Sequence, residues 1–313
     1  MTRIESRFFQ QLSPDRLAAF RIAFGVGLIA IVGRESLVGW ASVDPVFWRP
    51  IRVLGLMPLP RLPTPVHAAV VGLLGLALVS FAIGFRTRTA ATVACVTGLY
   101  VLGLPQHFGK VHHTTGLMVI VLGVFAVSRA GDRWSVDAWL HPVDAAILSR
   151  RQALGLYGWP IRLIQLLLTL VFFAAAVAKL RNGGVAWITS DQFALNLLKS
   201  SLERSSAGPT LPVGTWLARQ DLLCHALAAS ALLLEFVYPL AWFWRGSRWV
   251  LVPAVVTMLV GIRLLMGPLF LTFMLLHLAW IPWPRLGRVS VQTRDFWALG
   301  GGRRSAAREA RGV

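Results

Sequence analysis

The chain has 313 residues, of which 56% are apolar and only 14% charged, with a mean hydropathy of +0.65. Water-soluble domains carry about 25% charged residues, so this composition excludes an ordinary soluble globule. Thirty-one basic against 13 acidic side chains give a formal charge of +18, and because these charges punctuate long apolar runs, the partner they imply is the anionic inner leaflet of a membrane and no nucleic acid.

In chain order the apolar runs lie at Leu17–Gly33, Val66–Phe85, Thr89–Leu104, Val111–Ser128, Pro160–Leu180, Leu222–Phe243, Trp249–Met266 and Pro268–Ile281. A helix needs about 20 residues to cross the roughly 30 Å hydrocarbon core. The third and last runs are short, so seven or eight spans are expected. None alternates as a barrel strand would. The fold class is therefore all-α: a polytopic transmembrane helix bundle of about eight spans. Residues 1–16 read as a cytoplasmic N-terminus and 17–283 as the transmembrane domain, with an outer loop at 181–221. Residues 284–313 read as a basic cytoplasmic tail. Trp134-Ser-Val-Asp-Ala-Trp139 and the residues after it suit a helix lying in the inner interface. With eight spans, 18 of the 31 basic residues fall in inner segments and nine in outer loops. The positive-inside rule then places both termini in the cytoplasm of a plasma (inner) membrane. Cys95 and Cys224 offer neither a disulfide framework nor a zinc site, and no other metal site is expected.

Charges inside a bilayer require a partner or a purpose, since each costs at least about 2.5–3.5 kcal/mol at mid-depth. Arg162, Gln165, Thr169, Ala176 and Lys179 share one face of the fifth span. The chain holds only three lysines against 28 arginines, so Lys179 invites a role that needs a group able to lose its proton, which arginine does not. A lysine snorkelling from a helix end is the plainer alternative. Glu235, the one carboxylate within a span, is expected to form a structural ion pair with Arg21 or Arg162, with proton relay as the other reading. Arg263 is placed to face an anion or substrate headgroup, or to snorkel. His107, His112 and His113 surround Lys110 at the outer mouth of the fourth span, which on the plainer reading is simply solvated. Lys179 is assigned to the same outer surface, and a lysine base with histidines nearby is a workable general-base arrangement. His277 reads as a satisfied interior histidine.

The order of these features resembles the horizontally transferred transmembrane (HTTM) domain family, whose best-known relative is the vitamin K-dependent gamma-carboxylase. The stretches that carry the likeness are Leu17-Ala-Ala-Phe-Arg21-Ile-Ala-Phe-Gly25, Met57-Pro-Leu-Pro60, Gly84-Phe-Arg86-Thr-Arg88, His112-His113 and Trp134-Ser-Val-Asp137. Arg162-x-x-Gln165 through Ala178-Lys179-Leu180, with Trp187 beyond it, and Glu235-x-x-x-Pro239 complete the series. The resemblance covers roughly residues 10–285. It implies a catalytic role for Lys179 as the base that deprotonates a reduced, vitamin K-like quinone, with His112 or His113 assisting. Trp187 and Arg263 are expected to face the substrate. The large lumenal region that holds the carboxylase's protein substrate has no counterpart in these 313 residues, and the asparagine of the family's Asn-His pair is absent. Glutamate carboxylation is therefore not carried over. Two functions are expected to compete. One is a quinol- or lipid-linked enzyme modifying a substrate at the outer membrane face, and the other a non-enzymatic factor in maturation or export of a secreted peptide, working with an accessory protein. A transporter coupled through Glu235 is a third.

Overall fold

The computed structural model describes residues 3–49, 52–53, 57–58, 60–108, 113–205, 213–266 and 270–283. A short helix α1 (Arg3–Phe8) leads into α2 (Pro14–Val32). Then come α3 (Thr64–Ile83), α4 (Thr87–Val101) and α5 (His113–Val127). Each packs on its predecessor, α2 on α3, α3 on α4 and α4 on α5. Gly25 explains how closely α2 and α3 approach, because a Cβ there would stand 2.9 Å from the Ala82 backbone. Around that contact Phe20, Phe24 and Phe125 stack at centroid distances of 5.8–5.9 Å, with Phe81 edge-on to Phe125 at 5.1 Å.

Two small helices, α6 (Val136–Leu140) and α7 (Ala145–Ala153), replace the single interfacial helix expected after α5. The Asp137 carboxylate accepts the Arg86 and Thr87 amides and the Thr87 hydroxyl at 2.7–2.8 Å. It thereby satisfies donors that the start of α4 leaves open. Nearby, Asp132 accepts from Arg151 at 2.6 Å and from the Tyr157 hydroxyl at 2.7 Å. Burial, with the Asp132 hydrogen bond second, raises the Tyr157 phenol above its ordinary value.

The other half is built on α8 (Gly158–Gly183), an uninterrupted 26-residue helix with its one proline in the first turn, where proline is tolerated. The expected outer loop is itself helical: α9 (Ala186–Thr189), α10 (Gln192–Ser205) and α11 (Val213–Leu217). Leu197, Leu217, Ala218 and Cys224 form a small second core there, separate from the main one. The sixth expected span is broken: α12 (Asp221–Val237) stops at Tyr238-Pro239, and the chain resumes as one turn, α13 (Leu240–Phe243). α14 (Arg248–Met266) follows, then α15 (Leu271–His277), with one 3-10 turn, Leu278–Trp280, after it. α8 lies against α12, α15 and α5, and α15 reaches back to α2, so the two halves share one apolar core.

Among the described residues four helical stretches are long and apolar enough to cross a membrane: Thr64–Ile83, Thr87–Phe108, Gly158–Gly183 and Arg248–Met266. The other expected spans are helical but fall short for visible reasons. α2 carries Asp15, Arg16 and Arg21, α12 is cut to 17 residues by Pro239, and the apolar parts of α5 and α15 are brief. The described strands, Arg52–Val53 and Met57–Pro58, form a two-residue antiparallel pairing.

Candidate functional site

The polar face expected on α8 is present. Arg162, Gln165, Thr169 and Ala176 are all buried in the bundle. The ion pair expected of Glu235 is not with Arg21 or Arg162. Its two carboxylate oxygens each accept from Lys179 Nζ at 2.6 Å. Side-chain exposures of 24% for Lys179 and 8% for Glu235 place the pair at the edge of the bundle interior. The reason is directional. Helical side chains lean toward the N-terminus of their own helix. α8 and α12 run antiparallel, so Lys179 leans back along α8 while Glu235 leans the opposite way along α12, and the two meet. The rise from Arg162 to Lys179 is about 25 Å at 1.5 Å per residue, so the pair stands far from the arginine-rich ends of these helices.

Trp187, in α9, completes the group, its ring lying 5.3 Å from Lys179 Nζ as a cation–π partner. Two family-implied residues are thus brought together, and Glu235 joins them unforeseen. Arg263 is exposed in the last turn of α14. His112 lies outside the described residues. His113 opens α5, and its side chain is likewise outside what is described. His107 is buried and stacks on Trp48 at 4.8 Å.

The two arginines are held by carbonyls, with Arg21 Nε alone left without a partner between them. Arg21, fully buried, donates to Ala130 O at 2.8 Å and to Trp134 O. Arg162 donates through its three nitrogens to Arg7 O, Gln165 Oε1 and Trp242 O at 2.8–3.1 Å, and the Trp242 indole answers by donating to Arg162 O. Both hold chain breaks together, Arg21 the turn after α5 and Arg162 the turn after α12.

A second polar contact escaped the sequence reading. The Tyr238 hydroxyl sits 2.9 Å from His277 Nε2, and His277 Nδ1 sits 2.6 Å from Phe273 O. The carbonyl can only accept, which fixes Nδ1 as the protonated nitrogen and Nε2 as the acceptor of the tyrosine proton. Tyr238 stands three residues from Glu235, on the same side of the helix. That spacing was the available signal.

A helical bundle with apolar spans and buried cations balanced from within defines a membrane protein. The HTTM domain matches residues 9–279, and the chain belongs to that family. No curated protein and no solved structure matches it.

Proposed function

We propose that this is a multi-pass protein of the plasma (inner) membrane, with both termini cytoplasmic, in which the Lys179–Glu235 pair moves a proton to and from a lipid-soluble substrate near the outer face. The observation that carries the reading is the 2.6 Å contact of one amine with both oxygens of one carboxylate between two apolar helices. A proton passed from Nζ to Glu235 leaves a neutral amine, and that amine can then take a proton from a substrate hydroxyl as the O–H bond breaks and an N–H bond forms. Trp187 offers a flat ring beside the acceptor. These residues fit the reduced quinone that family resemblance implies, which would supply an acidic ring hydroxyl within the lipid phase. Lys179 and Glu235 would meet the hydroxyl, Trp187 would stack on the ring, and His112 or His113 would assist.

The same contact also supports a second reading, in which the pair is a tie between α8 and α12 in a non-enzymatic membrane factor. One substitution separates them. Lys179→Arg keeps a cation for Glu235 but removes the ability to give up a proton. The full chain in proteoliposomes is supplied with a short-chain reduced naphthoquinone, whose oxidation by dissolved oxygen reports loss of the hydroxyl proton and is followed by quinone absorbance. Wild type is expected to exceed the protein-free rate, and Lys179→Arg to lose about 100-fold or more of that excess. Equal rates for the two would eliminate proton transfer and leave the tie.

A further inference from the structure

A cavity of about 400 Å³ opens at the end of the molecule opposite Lys179, where α1, the start of α8, α13 and the start of α14 converge. Arg7, Arg162, Arg245 and Arg248 line it together with Trp242 and Trp244. No acidic residue lines it, and none of the three ion pairs among the described residues involves these arginines. The charge is held in place by the chain break at Pro239. Carbonyls freed at the end of α13 accept from Arg7 at Phe243, from Arg248 at Ala241 and Trp242, and from Arg162 at Trp242. Arg162 spends its three nitrogens on Trp242 O, Arg7 O and Gln165 Oε1 and forms the buried side of the cavity. Arg7 and Arg248 keep further N–H donors, and exposed Arg245 adds a fourth cation.

We propose that this cavity binds a phosphate-bearing anion, the headgroup of an anionic phospholipid. Four guanidinium groups gathered without a carboxylate make the cavity strongly attractive to an anion, and the planar forks left open on Arg7, Arg245 and Arg248 match phosphate oxygens. The volume lies in the range of small-ligand sites. The rim points to lipid as the source: Trp244 on the lining and Trp249, the residue after Arg248, are 70% and 78% exposed, as interfacial indoles are. Basic pockets between membrane helices hold such headgroups. Neither Lys179 nor Glu235 takes part, so this inference stands or falls apart from the proton-transfer reading.

The test uses the full chain in phosphatidylcholine nanodiscs, with phosphatidylglycerol or inorganic phosphate as the two probes. Retained lipid is counted by native mass spectrometry, and thermal stability is followed in parallel. Wild type is expected to retain phosphatidylglycerol preferentially, with about fivefold weaker retention for each of Arg7→Gln and Arg245→Gln. Arg245→Lys, which keeps the charge and not the fork, should fall between. Arg245 is exposed, so its substitution leaves the packing alone. Stabilisation by inorganic phosphate with no lipid preference would replace the headgroup by a soluble phosphate and overturn the lipid assignment. Retention no different from phosphatidylcholine, or unchanged in both glutamine variants, would remove the site altogether.

Discussion

Gly84 ends α3 in the left-handed region, at φ +76. A Cβ there would fall 2.4 Å from Ser135 Cβ and 2.8 Å from the Arg21 guanidinium. The position therefore requires glycine twice, once for backbone conformation and once for space. This small residue lets the buried Arg21 fit under the α3–α4 turn and lets Gly84 O accept the Asp137 amide at 3.0 Å. Gly84→Ala is expected to lower stability by at least about 2 kcal/mol, combining left-handed strain with overpacking around Arg21. Thermal unfolding in detergent would measure it, and a change under about 0.5 kcal/mol, the size of an ordinary surface substitution, would show that the turn is not the constraint described.

At the scale of elements, α8 and α12 are joined by apolar packing and by the Lys179–Glu235 contact. Phe172 packs edge-on to Tyr238 and Phe173 packs against Phe236, both at 5.3 Å. A largely buried ion pair contributes little net stability, yet removing one partner strands the other. Lys179→Met should therefore cost about 3 kcal/mol, while Lys179→Met combined with Glu235→Leu should recover most of that loss. The double-mutant cycle in detergent micelles checks this directly. If the two losses simply add, the residues are not energetically coupled and the proton-sharing reading loses its basis. The double variant also supplies a folded control for the quinol assay, since it keeps the helix contact and carries no proton-transfer group.

Across the whole molecule charge is unequally distributed, with the arginine cavity and the Arg21 turn at one end and Lys179 at the other. The proposed topology, in which 18 basic residues are assigned to inner segments, turns the arginine end toward the cytoplasm. In intact cells Ser190→Cys, in the exposed turn between α9 and α10, should react with a membrane-impermeant maleimide. Asp144→Cys, exposed before α7, should react only after permeabilisation. The reverse pattern would invert the topology and move the Lys179 pair to the cytoplasmic side.

Composition and hydropathy were enough to establish a helical membrane protein, because a bilayer forces backbone groups to be satisfied within each apolar segment. Periodicity was enough to put Arg162, Gln165, Thr169 and Ala176 on one buried face, since that depends only on 3.6 residues per turn. Motif order was enough to indicate the HTTM family. Partner choice was beyond the sequence. Glu235 looked suited to Arg21 or Arg162, and the antiparallel lean of α8 and α12 brings it to Lys179 instead. Arg21 and Arg162 found carbonyls released where the chain turns after α5 and after Pro239, and such groups have no signature in a string of residues. The arginine cavity was hidden for the same reason: it arises from segments distant in sequence, and only packing decides which charges meet.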